Sequence, residues 1–343
     1  GLLTNLGDQD LADIAAYFAS QKGSVGAADP ALGQIPQNQF GLLSVIDNVA
    51  SPAQKRKLFR GILDGRRLAN AGPERNTRHT LELKARVRRD GDGYRVSGEK
   101  FYSTGALFAH WVAVKAIDEE ERAVMLFVER GAPGLRIVDD WSGFGQRTTA
   151  SGTVILDNVR VPAEHVIPVH RAFDRPTAAG AVSQFIQAAI DAGIARGILA
   201  ETVQQVRRHA RPWIDANQQH AWEDPYTIQQ VGDLRIRVRA AEAVLDLAAD
   251  AIEAALAAPD EESVAAASIA VAEAKVLSTE ISLAASEKLF ELAGSRATLA
   301  EFNLDRHWRN ARTHTLHDPV RWKVHAVGDY YLNGARPARH SWI

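Results

Sequence analysis

Leu81-Glu82-Leu83-Lys84-Ala85-Arg86-Val87-Arg88-Arg89-Asp90-Gly91-Asp92-Gly93-Tyr94-Arg95-Val96 is where the chain changes its period. Leu81, Leu83, Ala85 and Val87 alternate with Glu82, Lys84, Arg86 and Arg88. That two-residue repeat predicts a half-buried strand over 81–88. Asp90-Gly91-Asp92-Gly93 is a hairpin turn signal, and 94–96 carries the chain back. Further strands are predicted over 111–117, 123–128, 135–138 and 152–161, punctuated by Gly131, Pro133 and Gly134. Short strands at this spacing indicate a small barrel or sandwich.

Outward from this zone the pattern is helical on both sides. Leu11, Ile14, Ala15 and Phe18 stand at helical spacing near the start, and 23–30 is a breaker-rich link. Helices are predicted over 37–49 and 52–63, the second with Ser51 as N-cap and Pro52 at its first position. Beyond the strands, long helices are predicted over 178–210, 228–257 and 262–292, the last ending at Gly294. A shorter return over 296–312 and a last helix over 319–332 complete a four-helix bundle. The whole is an α+β chain with expected domains at 1–75 (helical), 76–166 (β-barrel) and 167–343 (four-helix bundle).

Composition narrows the function. The 343 residues suffice for a sizeable core in two or three structural units. Lys+Arg 40 against Asp+Glu 42 leaves a formal charge of -2, with no electrostatic case for nucleic acid or an anionic membrane. The absence of cysteine removes disulfides, thiolate nucleophiles and Cys-based metal sites, and fits a reducing cytoplasm. No apolar run reaches the length of a membrane span, and no signal peptide is visible. The start at Gly1 without Met reads as a trimmed or incomplete N-terminus.

The densest chemistry is Thr313-His314-Thr315-Leu316-His317-Asp318-Pro319. A histidine beside a carboxylate can hold or move a proton near neutral pH. The plainer reading is a helix start, with Asp318 as N-cap and Pro319 at the first position. The two are compatible. His314 and His317 have a possible metal spacing, but no acidic cluster completes a site, so no metal is expected.

Four stretches then carry a family resemblance. They are Gly33-Gln34-Ile35-Pro36-Gln37-Asn38-Gln39-Phe40, Gly98-Glu99-Lys100-Phe101-Tyr102-Ser103-Thr104-Gly105-Ala106-Leu107-Phe108, Gly143-Phe144-Gly145-Gln146-Arg147-Thr148-Thr149-Ala150-Ser151-Gly152, and 313–334. Together they resemble the reduced-flavin-dependent monooxygenases of the acyl-CoA dehydrogenase fold, similar to dibenzothiophene and alkyl-sulfone monooxygenases. Residues 3–30 depart and look more like the C-terminal helix of a small c-type cytochrome. They hold no Cys-x-x-Cys-His, so haem attachment is excluded, and an ordinary amphipathic helix is the plainer reading.

The resemblance implies roles residue by residue. Tyr102, Ser103 and Thr104 would line the isoalloxazine ring, with Ser103 also in the catalytic set, or be ordinary hydroxyls at a strand end. Asn70, in Asn70-Ala71-Gly72-Pro73-Glu74, would face the flavin or the oxygen site, or be a turn asparagine. Gly72-Pro73 stands where the family has a serine-containing link. Thr149 and Ser151 would contact flavin from a loop. Arg211 would reach the flavin phosphate of a neighbouring subunit, or be a solvated surface residue. His314 would touch the cofactor, and His317 with Asp318 would hold a flavin hydroperoxide and manage its proton.

The function implied is two-component monooxygenation of a small organic substrate, an organosulfur compound first. Reduced FMN from a separate reductase would react with O2, FAD being the alternative flavin. The assembly implied is a homotetramer, a dimer of dimers. Two other readings stand beside it: an acyl-CoA dehydrogenase with bound FAD, and a non-catalytic helical scaffold. The glutamate with its following Gly-Thr that a dehydrogenase would need has no match in the C-terminal region.

Overall fold

The computed structural model describes residues 27–343. The helix expected around Leu11–Phe18, and most of the cytochrome-like stretch, lie outside the described residues. Described residues form seven α-helices and an eight-stranded sheet. Helices α1 (Pro30–Val49) and α2 (Pro52–Leu63) come first. The strands follow as β1 (Leu68–Ala71), β2 (Arg86–Asp90), β3 (Gly93–Lys100), β4 (Trp111–Ile117), β5 (Ala123–Glu129), β6 (Leu135–Ile137), β7 (Val154–Pro162) and β8 (Val166–Ile167). Then come α3 (Ala179–Arg208), α4 (Pro225–Ala257), α5 (Glu261–Ala293), α6 (Asp305–His314) and α7 (Arg321–Asn333).

Local chemistry explains the helix starts. Ser51 accepts from the Gln54 amide while the Gln54 side chain accepts from the Ser51 amide, a full capping box before Pro52. Helix α1 starts at Pro30, seven residues before the expected 37. Asp29 accepts from the amides of Ala31 and Leu32 at 2.8 and 3.0 Å, and Pro30 needs no donor at the first position. The helix continues through Pro36. Gly294, with φ of 78°, ends α5 as expected.

One compact unit, Gln34–Ser142 with Arg147–Ala179, holds the sheet. Its strand order is β6-β7-β3-β2-β4-β5-β8, and β1 pairs with β4 in parallel. Asp90 pairs with Gly93 across a two-residue turn whose Gly91 has φ of 60°, as the hairpin signal requires. Val87, Val96, Val112, Val114, Leu126, Leu156 and Val159 form the core of this unit. The strand expected over 81–88 begins only at Arg86, and Leu81 is exposed. The Glu74 carboxylate takes the amides of Lys84 and Ala85 at 2.8 and 3.0 Å, so these donors are not left for a neighbouring strand. A bulge between Val96 and Gly98 re-aims the end of β3, and a Cβ on Gly98 would come 2.5 Å from that of Ala85.

The second unit comprises Gly180–Ile343, Gly143–Gln146 and, among described residues, 27–33. Helices α4 and α5 form its longest pair, and α6 and α7 both pack on α5. The short segment Gly143–Gln146 is fastened to α6. Phe144 stacks on Trp308 with centroids 5.7 Å apart, Arg309 donates to the Phe144 carbonyl, and the Gln146 amide donates to Asn310. No room remains there for a side chain on Gly145, whose Cβ would lie 1.9 Å from the Arg309 carbonyl oxygen.

The last helix starts at Arg321, and Asp318 does not cap it. Its N-cap position is Val320, with no side-chain bond. The expected cap fails because the Asp318 carboxylate is buried between two cationic or donating partners, His317 and Lys323. A buried charge is held by its strongest partners before a backbone amide.

Candidate active site

In the sheet unit, the chain leaving β3 folds into a knot of hydroxyls. Tyr102 adopts φ of 54°, uncommon for a bulky residue, and its ring is half exposed. The next turn is tied down by main-chain bonds. The Ser103 amide donates to the Gly152 carbonyl and the Gly105 amide to the Thr149 carbonyl. These bonds set Thr104 Oγ1 2.7 Å from Ser151 Oγ, which lies 2.7 Å from Thr149 Oγ1. All three side chains are buried. Asn38 donates its amide to the Thr104 carbonyl. Ser103 is fully buried, and its Oγ has no hydrogen-bond partner among the described residues. A buried hydroxyl without a partner is costly and marks a place for a polar group that the chain does not provide.

Beneath this turn lies an ion pair that sequence reasoning passed over. Lys100 Nζ is 2.5 Å from Glu74 Oε1 and 3.3 Å from the Gly72 carbonyl oxygen, and both side chains are buried. Burial pushes the Lys100 ammonium below its ordinary value against the pull of Glu74. Burial alone would raise the Glu74 carboxyl, but the bonds from Lys100, Ala85 and Lys84 bring it down. The pair thus anchors both ends of the Gly72-Pro73 link, whose Pro73 carbonyl also accepts from the Phe101 amide. Asn70 sits in β1, paired with Ala113 of β4, and so is a strand residue and not a turn asparagine.

In the helical unit, a second set of polar side chains is buried among α3, α5, α6 and the turn after it. His314, the last residue of α6, places Nδ1 2.5 Å from Asp191 Oδ1. The other Asp191 oxygen accepts from Lys275 Nζ at 2.8 Å and Thr279 Oγ1 at 3.1 Å. Asp191 and Lys275 are fully buried. Burial alone would raise the Asp191 carboxyl, yet Lys275 and His314 against it bring it to about 2. Burial pushes the His314 ring below its ordinary value, more than Asp191 pulls it up. In the sequence, Asp191 and Lys275 are each one of several charges in a long Ala-rich helical run, and nothing there marks them as buried.

His317 is the exposed member. Its Nδ1 lies 3.4 Å from Asp318 Oδ1, and Asp318 Oδ2 lies 3.2 Å from Lys323 Nζ. Burial would raise the Asp318 carboxyl, but the His317 bond, Lys275 and Lys323 hold it far below the usual carboxylate range. Lys323 also donates to the Trp342 carbonyl. Arg211 lies on an exposed loop after α3. Among the described residues no group of acidic and histidine side chains could hold a metal ion. None of their helices is long and apolar enough to cross a membrane.

A helical start, a middle sheet domain and a C-terminal helical domain define the acyl-CoA dehydrogenase class of fold. The family models agree: the acyl-CoA dehydrogenase middle domain matches residues 75–159, and the C-terminal domain matches 185–322. The dibenzothiophene monooxygenase of Mycolicibacterium goodii is 32% identical over 329 residues, 91% of this chain and 79% of that one. Within the acyl-CoA dehydrogenase class, this chain belongs to the flavin-dependent monooxygenase family of dibenzothiophene monooxygenase. The probable FMNH2-dependent monooxygenase SfnC of Pseudomonas putida is 31% identical over 273 residues, 77% of this chain and 68% of that one. A crystal structure of TdsC from Paenibacillus sp. A11-2 with FMN and indole matches with a TM-score of 0.91 and 28% identity, over 100% of this chain and 90% of that one. A separate stretch of 32 residues, 9% of this chain, is 88% identical to cytochrome c4 of Pseudomonas aeruginosa and covers 16% of it.

Proposed function

We propose that this monooxygenase uses reduced FMN and O2 to oxygenate a small organosulfur compound. The carrying observation is Ser103: a fully buried hydroxyl without a partner among the described residues, beside the linked hydroxyls of Thr104, Ser151 and Thr149. Such a set fits the polar edge of a flavin ring, which offers donors and acceptors to a dry pocket. Reduced FMN, when bound, supplies the two electrons that divide O2 between the sulfur and a molecule of water.

The chain's own residues bind, orient and manage protons. Tyr102, Ser103, Thr104, Thr149 and Ser151 hold the flavin in this reading. Asn70 and Ser103 serve as polar contacts near the oxygen site. Asp318, kept ionised by Lys323 and His317, accepts a hydrogen bond from His317 Nδ1–H and so orients the ring. His317 then handles the reaction's proton through Nε2. A separate flavin reductase supplies the reduced cofactor in the cytoplasm. Arg211 serves a neighbouring subunit's flavin phosphate in a homotetramer. The support for these last points is the family resemblance and the exposed position of Arg211.

Stopped-flow mixing of the protein and photoreduced FMN with aerated buffer tests the reading. A flavin transient outliving the reoxidation of free FMN is expected, with sulfoxide formed from a test sulfide such as dibenzothiophene. His317→Ala is expected to shorten the transient's lifetime at least about tenfold. An unchanged lifetime removes the role given to His317. A resident FAD bleached by an acyl-CoA, with no reaction of reduced FMN, would overturn the oxygenase reading.

A further inference from the structure

Two buried charges in the helical unit have no part in the chemistry so far. Asp191 lies in α3 between the buried Ile190 and Ala192, and Lys275 lies in α5 beside the buried Ala274. A buried ion pair contributes little stability beyond an apolar pair of similar volume. A positional role is the better account of its presence, and the geometry specifies one.

Asp191, ionised, has only acceptor atoms. Its Oδ1 is 2.5 Å from His314 Nδ1, in the range of charge-assisted bonds, so Nδ1 must carry the proton. Its Oδ2 is engaged by two donors, Lys275 Nζ and Thr279 Oγ1. The carboxylate therefore has no freedom to turn. Charged groups facing the ring include Asp191 from α3, Lys275 from α5 and His317 from the turn after α6. The ring is fully enclosed, and its burial together with Lys275 and His317 opposes a second proton. One proton remains, and it is on Nδ1.

We infer that Asp191, clamped by Lys275 and Thr279, is a positioning residue that fixes His314 as the Nδ1–H tautomer, leaving Nε2 solely an acceptor. That His314 then serves oxygenation as an acceptor and not as a proton donor rests on the function proposed above. The arrangement divides labour between two histidines three residues apart. His317, beside Asp318, is open to its surroundings; His314, beside Asp191, is enclosed.

Asp191→Asn is a sharp probe because it keeps the shape and reverses the polarity. The introduced side-chain amide must offer its carbonyl oxygen to Lys275 and Thr279, which turns its NH2 toward His314 Nδ1. Nδ1 then becomes the acceptor, and the proton moves to Nε2. The tautomer is read by long-range 1H–15N correlation on flavin-free protein labelled with 15N-histidine. His314 is assigned from the signal lost in His314→Gln. The wild type is expected to show a protonated Nδ1 and a bare Nε2 from about pH 6 to about pH 8. Folded D191N is expected to show the reverse, with FMN affinity within about twofold and oxygenated product lowered about 10²-fold.

A wild-type ring with its proton on Nε2, or on both nitrogens, overturns the inference, and this measurement needs no variant. So does a folded D191N whose pattern is unchanged. A reversed pattern with full turnover overturns the acceptor role in catalysis. A wild type that oxygenates no sulfide sinks the proposed function while leaving the tautomer assignment standing; a wrong tautomer does the opposite.

Discussion

Ser103 and two of the three Asp-Pro pairs show how much a single residue's surroundings decide. The Ser103 hydroxyl is buried without a partner among the described residues. Ser103→Ala should therefore leave the flavin-free protein as stable as before, or more stable by up to about 1 kcal/mol. The same change should weaken FMN binding about tenfold, roughly 1.4 kcal/mol, in a fluorescence titration. An unaltered FMN affinity would show that the hydroxyl does not face the flavin. Asp29-Pro30 and Asp318-Pro319 are the same dipeptide with different outcomes. Asp29 accepts from the Ala31 and Leu32 amides and caps α1. Asp318 has Lys323 and His317 and caps nothing. The dipeptide was legible in the sequence, but the competitor for the carboxylate was not.

At the scale of elements, the strand and helix periods predicted most of what formed, because periodicity is a local consequence of which face is buried. β4 spans Trp111–Ile117, the range expected from the sequence. β1 and β8 were missed, being short strands of four and two residues with too few positions to show a period. The contents of the long helices were harder. α3 and α5 each carry one buried charge, and the pair is formed only when the helices pack. Lys275→Met leaves Asp191 facing His314 and Thr279 without its cation. This should destabilise the protein by about 3–5 kcal/mol in urea unfolding. Asp191→Asn combined with Lys275→Met should recover part of that loss, since neither charge is then stranded. A double variant no more stable than Lys275→Met would refute the pairing as the cause.

For the molecule as a whole, buried histidines set the response to acid. Burial, with Arg306 beside it, brings His307 to about 4, and burial also lowers His314. A group depressed in the folded state stabilises the fold above its unfolded value, and that contribution is lost as pH falls toward the folded value. For His307 the window runs from 6.5 down to about 4, on the order of 3 kcal/mol. Asp191, depressed to about 2, acts in a lower window beginning near its ordinary 3.8. Urea midpoints should thus fall between about pH 7.5 and about pH 5, before the carboxylates protonate. An equal midpoint would show that these rings charge freely in the folded protein. By itself the sequence determined the succession of helix, sheet and helix, the Asp90–Gly93 hairpin, the Ser51 cap, and the loops that hold Ser103, Thr104, Thr149 and Ser151. Each of these depends on neighbours within a few residues, or on a motif read along the chain. Only the tertiary structure decided that Asp191 meets Lys275, 84 residues on, and His314, 123 residues on. A charge that will be buried looks, in a sequence, like any charge that will face water; what separates them is the partner that folding brings.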